Sequence, residues 1–83
     1  MASNVHYKSS VQQDLRKLDK LTAKRLLDKL EHALADHPEA GEALRGEFRG
    51  LYKYRIGDYR VVYAKTLDGV LVLRIGHRKD VYR

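Results

Sequence analysis

No cysteine occurs among these 83 residues, so neither a disulfide nor a thiolate metal site can brace the fold. The redox compartment consequently leaves no mark on the chain. No apolar run approaches the roughly 18 residues that a membrane-spanning helix needs, and the opening MASNVHYKSS lacks the apolar core of a signal peptide. The expectation is a cytoplasmic protein with no membrane contact. Neither a GxGxxG fingerprint nor a phosphate-binding Walker loop is present, and Gly46 and Gly50 stand in a polar stretch that cannot be a membrane helix. His6, His32, His37 and His77 are scattered, no His-x₃-His pair exists, and the carboxylates concentrate in the first half. No metal or other cofactor is therefore expected. Ser3, Ser9 and Ser10 sit where a helix should start, which explains them better than a Ser-His-Asp site does.

What is abundant is positive charge, and its distribution is uneven. The formal net charge is +6. Met1 to Phe48 holds eight Lys/Arg against eight Asp/Glu, whereas Arg49 to Arg83 holds nine against three. The whole excess therefore lies in the second part of the chain. Cations gathered on one surface with an aromatic nearby suit a ligand that offers phosphates and bases. At this length one domain spanning residues 1–83 is expected, burying about 60–65% of the surface its unfolded chain exposes.

Hydrophobic spacing separates a helical half from a strand half. Val5 and Tyr7 alternate with polar neighbours and predict a short strand. Ser10 with Gln13 fits a capping box, and Val11, Leu15 and Leu18 follow at helical spacing. Thr22 is the expected second N-cap, ahead of a face made by Leu26, Leu27, Leu30 and Leu34. Pro38 should stop that helix near His37, and a link around Lys20 to Thr22 would make the pair an antiparallel hairpin. Residues 39–50 read as a connection. Leu51 to Ile56 and Tyr59 to Lys65 read as strands joined by Gly57-Asp58, and a turn at Asp68-Gly69 leads to a last strand, Val70 to Ile75. The fold class is α+β, with an N-terminal helical hairpin on one face of a mainly antiparallel four-stranded sheet.

Alternation assigns the faces. Tyr52, Tyr54 and Ile56 oppose Leu51, Lys53 and Arg55; Tyr59, Val61 and Tyr63 oppose Arg60, Val62 and Ala64. The helices can cover one face, and the aromatic-aliphatic set is the natural one. Lys53, Arg55 and Arg60 are then left together on the open face with no acidic partner expected there. Charges on an open antiparallel face often do no more than solvate it, but three like charges repel, which favours a phosphate ligand.

Positive charge and proton-transfer groups suffice to cut RNA without a metal. The chain's own 2′-hydroxyl attacks its phosphate once a base takes the proton. Cations hold the charge on the phosphorane, and an acid protonates the leaving 5′-oxygen. Arg suits the clamp because its planar fork meets two phosphate oxygens. Tyr82 has two readings, packing a terminal segment or stacking on a base. His77 is either a polar strand-end residue or, if it faces Lys53, a proton-transfer group.

The stretches LRG (Leu44 to Gly46), GLYKYRIGDYRVVY (Gly50 to Tyr63), the Asp68-Gly69 hairpin with its hydrophobic strand, and GHRKDVYR (Gly76 to Arg83) resemble the RelE/ParE toxin superfamily of toxin–antitoxin modules. Within it they are most similar to the RelE branch. The resemblance implies the RelE-like microbial RNase fold and a metal-independent endoribonuclease (an mRNA interferase) that cleaves messenger RNA in the ribosomal A site, with a RelB-like antitoxin as partner. It implies catalytic roles for Lys53, Arg55, Arg60, Arg78 and Tyr82, with Lys53, Arg60, Arg78 and Tyr82 also binding substrate and Tyr82 stacking on the nucleotide. Arg55 stands where a second lysine is usual in the family and cannot act as a base near neutral pH, so that role falls to Lys53 or His77. Only Arg83 follows Tyr82, where several relatives continue into a further helix. The ParE branch shares the fold and implies the alternative, inhibition of DNA gyrase without nuclease chemistry; a degenerate toxin that only binds its antitoxin is the third reading.

Overall fold

The computed structural model describes residues 5–77. Strand β1 (Val5–Tyr7) leads directly into helix α1 (Ser9–Arg16), followed by α2 (Lys20–Asp36). The chain then forms a two-residue strand β2 (Glu42–Ala43), a 3₁₀ turn (Gly46–Phe48), and the strands β3 (Leu51–Ile56), β4 (Tyr59–Thr66) and β5 (Gly69–His77). Among the described residues the strands form one sheet in the order β1-β5-β4-β3-β2, antiparallel except for the β1–β5 pair. The α+β class and the mainly antiparallel sheet are as expected, but there are five strands and not four. The fifth, β2, lies inside the segment read as a connection, because two residues are too short to show alternation.

The helical layer is held by apolar burial. Leu26, Leu30 and Leu34 recur on one face of α2 and are buried, as is Val11 of α1. They meet Val61, Tyr63, Val70, Val72 and Ile75 from the sheet, and Tyr52, Tyr54, Ile56 and Tyr59 pack around that cluster. The aromatic-aliphatic face is thus the covered one.

Local details at the helix ends differ from the sequence reading. Asp19, not Thr22, caps α2: its carboxylate accepts from the Thr22 N–H (3.2 Å) and from the Thr22 hydroxyl (2.6 Å). The link between the helices is accordingly Lys17 to Asp19. Ser10 is not a cap either. The Lys8 N–H extends the β1–β5 ladder to the Val72 carbonyl (2.9 Å), so α1 starts at once and Ser10 falls in its first turn. Its hydroxyl donates across to the Leu73 carbonyl at 2.8 Å. The β3–β4 turn is Gly57-Asp58 as expected, and the positive φ of Gly57 (60°) beside an ordinary Asp58 fits a type II′ turn. The next turn sits one residue earlier than expected. Thr66 pairs with Gly69, so Leu67 and Asp68 form the loop and Gly69 opens β5.

A bulge in β5 changes which residues face the core. Val62 pairs with Arg74 but Tyr63 pairs with Val72, leaving Leu73 as the extra residue. Val70 and Val72 are buried and so is Ile75, whereas strict alternation would have turned Arg74 inward. Strand β1 accompanies β5 only as far as Val72, and beyond it α1 serves the same edge. Asp14, the one buried charged residue among those described, accepts from the Ile75 N–H (2.9 Å) and from Arg74 Nε (3.0 Å) and Nη2 (3.3 Å).

Removing that carboxylate leaves a backbone N–H and a guanidinium short of acceptors. Asp14→Ala should therefore lower unfolding free energy by about 2–3 kcal/mol in urea titrations, with Asp14→Asn milder because it can still accept from Ile75. A loss under about 0.5 kcal/mol would reduce Asp14 to an ordinary surface contact. At the other helix end, the hydrogen bonds from Thr22 hold the exposed Asp19 carboxyl below its ordinary value of 3.8. A depressed acid stabilises above its unfolded value and loses that contribution as pH falls through the folded one. The gap in thermal midpoint between wild type and Asp19→Ala should be full at neutral pH and close below pH 3.8. A gap independent of pH would refute the ionic cap.

Candidate functional site

The β3–β4 hairpin assembles the basic face through its register. Lys53 lies opposite Val62, and Arg55 lies directly opposite Arg60. All point away from the helices, since their neighbours Tyr52, Tyr54 and Val61 pack on the core side. Like charges facing one another across a strand pair destabilise it, so this arrangement is a local cost that an anionic ligand would relieve. The three side chains line a shallow open groove of about 480 Å³ together with Ala40, Glu42 and Tyr54.

Glu42 is the residue that sequence reasoning missed, and it corrects the expectation of a face without acid. Strand β2 places it in register with Lys53, and its Oε1 lies 3.6 Å from Lys53 Nζ. The Glu42 side chain is 76% exposed and that of Lys53 29%. An ion pair this open is worth under about 1 kcal/mol, so it adds little to stability. Nothing in the local sequence marks Glu42, which sits in a charged, glycine-containing stretch; its role follows from the pairing of β2 with β3.

The groove floor is tied to the core beneath it. Tyr63 is fully buried and stacks on Tyr52 with ring centroids 5.5 Å apart. Its hydroxyl donates to the Pro38 carbonyl (2.8 Å) and accepts from the Gly41 N–H (2.8 Å), immediately before Glu42. Burial raises the pKa of this phenol above its ordinary value of 10.0 and keeps it protonated.

Of the residues singled out in the sequence, the structure brings Lys53, Arg55 and Arg60 into one groove. It does not bring His77 to them. His77 pairs with Tyr59, and the two rings meet edge to face at 6.1 Å, which places the imidazole on the face opposite Lys53. Period-two counting from Arg60's partner Gly76 would have shown this. The expectations for Arg78 and Tyr82 fall outside the described residues. Among the described residues no three of His, Asp and Glu gather as a metal site would require.

Known proteins resemble this chain over nearly its whole length. The family described as the ParE toxin of the type II toxin–antitoxin system parDE matches residues 5–82. Toxin RelG of Mycobacterium tuberculosis is 30% identical over 86 residues, covering 100% of this chain and 99% of that one. In structure, the toxin–antitoxin complex RelBE2 of Mycobacterium tuberculosis superposes with a TM-score of 0.80 at 27% identity, over 94% of this chain and 100% of that one. The isolated E. coli RelE toxin gives 0.68 at 29% identity, over 98% and 92%. The intact E. coli RelBE complex gives 0.69 at 28%, over 92% and 96%. With a family match from β1 past the end of β5 and relatives matched along their full length, the chain belongs to the RelE/ParE superfamily and is a toxin of the type II toxin–antitoxin kind.

Proposed function

We propose that this toxin is a metal-independent endoribonuclease that cuts messenger RNA, with the ribosomal A site as the place of cleavage. The observation that carries the reading is Arg55 set directly against Arg60 beside Lys53, in an open groove that also holds a carboxylate. A gyrase inhibitor has no need of a proton acceptor placed among phosphate-binding cations.

The chemistry follows from the residue types. Arg55 and Arg60 clamp the scissile phosphate and stabilise the charge that grows on its oxygens. A proton must leave the 2′-hydroxyl, and neither arginine can take it. The carboxylate of Glu42 stands ready for that step, with Lys53 beside it neutralising the nucleophile's developing charge. The 2′-oxygen then bonds to phosphorus as the bond to the 5′-oxygen breaks. That oxygen takes a proton from water, giving a 2′,3′-cyclic phosphate and a 5′-hydroxyl, and Glu42 returns its proton to solvent. Relative to the sequence reading, the base moves from Lys53 to its neighbour because a lysine paired with a carboxylate is better used as a charge. Arg78 and Tyr82 remain proposed as a further phosphate ligand and a stacking platform.

An antitoxin is the expected partner, and the similar RelBE2 and E. coli RelBE structures are of such complexes. The basic groove calls for a segment carrying carboxylates that cover Arg55, Arg60 and Lys53.

Inducing the chain in growing cells and mapping message ends on ribosomes tests the reading. Cut messages with cyclic phosphate ends, appearing before any DNA damage response, are the expected result. Inhibition of supercoiling by the purified protein with messages intact would instead support the ParE-type activity. For the proton transfer, Glu42→Gln should slow single-turnover cleavage by about 10²-fold or more and remove the acid limb of the pH profile. Lys53→Arg, which keeps the charge, should retain most of the rate and the profile. The opposite pattern would return the base to Lys53. Arg55→Ala and Arg60→Ala should each lower the salt dependence of single-stranded RNA binding by about 0.7 in log–log slope, one phosphate contact apiece.

A further inference from the structure

The carboxylate in the groove sits on the least self-sufficient element of the fold. Strand β2 has two residues, Glu42 and Ala43, at the sheet's edge. The Leu44 N–H continues its pairing onto the Leu51 carbonyl (2.9 Å), but so short a ladder anchors the Glu42 end weakly, since strands ordinarily run three residues or more. Something else must set where Glu42 stands.

That something lies one residue earlier. The loop after α2 is gripped from below by the Tyr63 hydroxyl, which donates to the Pro38 carbonyl and accepts from the Gly41 N–H, both at 2.8 Å. One hydroxyl thus bridges both ends of residues 38–41. Only a group that donates and accepts at once can do this, and phenylalanine cannot. Gly41 is pressed against the same hydroxyl. A Cβ there would lie 2.5 Å from Tyr63 Oη and 2.7 Å from the backbone carbonyl of Lys53. The loop is therefore wedged between Tyr63 and the backbone of the residue that Glu42 must face. The raised pKa of the buried phenol keeps its proton available for the Pro38 carbonyl.

We propose that Tyr63 is a positioning residue for the groove: through Pro38 and Gly41 it fixes β2 and so holds the Glu42 carboxylate beside Lys53. The inference rests on the ribonuclease reading of that groove. It gives a core tyrosine a function apart from filling volume, at a position where phenylalanine would pack as well.

Tyr63→Phe separates the two roles, because it keeps the ring and its stacking on Tyr52 while deleting both hydrogen bonds. In NMR of the purified full chain, core amides of β4 and β5 should stay protected while the Gly41 amide exchanges at least tenfold faster. The Glu42 side-chain carboxyl resonance should move on Lys53→Met in the wild-type background and stay unmoved in the Tyr63→Phe background. Single-turnover cleavage should fall about tenfold or more at saturating RNA, with RNA affinity unchanged. Gly41→Ala, which displaces the loop with Tyr63 intact, should give the same loss and serves if Tyr63→Phe fails to fold. Retained Gly41 protection, or an unchanged Glu42–Lys53 coupling, would overturn the proposal. Wild-type cleavage that Tyr63→Phe leaves at full rate overturns the positioning role alone. A wild-type chain that cuts no RNA overturns the ribonuclease reading and the role with it.

Discussion

Asp14 holds the helical layer to the sheet at the one place where ordinary strand pairing gives out. β1 ends opposite Val72, while β5 runs on to His77, and the bulge at Leu73 disturbs the ladder just there. A sheet edge left bare inside a small domain would carry unsatisfied backbone groups. Helix α1 supplies the acceptors and donors that a longer β1 would have supplied, with Ser10 on the Leu73 carbonyl and Asp14 on the Ile75 N–H. The same carboxylate takes the Arg74 guanidinium, so the bulge can turn an arginine away from the core and put Ile75 there. The burial of α1 and the alignment of β4 on β5 both depend on that junction.

This junction also sorts the positive charge. Arg74 belongs to the basic half of the sequence, yet Asp14 neutralises it on the helix side. Arg55 and Arg60 face one another across the hairpin. The groove beside them holds a carboxylate, Glu42, in an open ion pair with Lys53. An anion seated on such a surface would relieve a repulsion already present, with little reorganisation. The covered and open faces of one sheet thereby divide the work: Tyr63 and its neighbours make the fold stiff, and the residues between them stay available to solvent.

Much of this is legible in the sequence, and what is not fails for identifiable reasons. The period-two pattern of Leu51 to Lys65 is long enough to fix both faces, which places Lys53, Arg55 and Arg60 together. The leucines of α2 likewise leave no ambiguity. Glu42 escapes because two residues carry no period, and only the pairing of β2 with β3 sets it opposite Lys53. Thr22 loses the cap to Asp19 because both have capping side chains and only the geometry of the preceding link chooses between them. Ser10 is drawn away from capping by a carbonyl more than sixty residues distant. His77 lies opposite Lys53 in the sheet because it is an odd number of residues from Gly76, the partner of Arg60. Family likeness suggests a role for the cations; it does not reveal their carboxylate neighbour.

The placement of β5 between β1 and β4 has a consequence for the order in which the molecule comes into being. The bonds from α1 to β5 span 60 to 63 positions along the chain, and β1 has its only described strand partner there as well. Synthesis proceeds from the N-terminus, so the first segment leaves the ribosome long before the strand it must join exists. Contacts this distant in sequence form late and hold back everything that rests on them. Until β5 emerges, α1 lacks its hydrogen-bond partners on that strand and β4 lacks its partner on that side, so the sheet that presents the groove is completed only once β5 has been made.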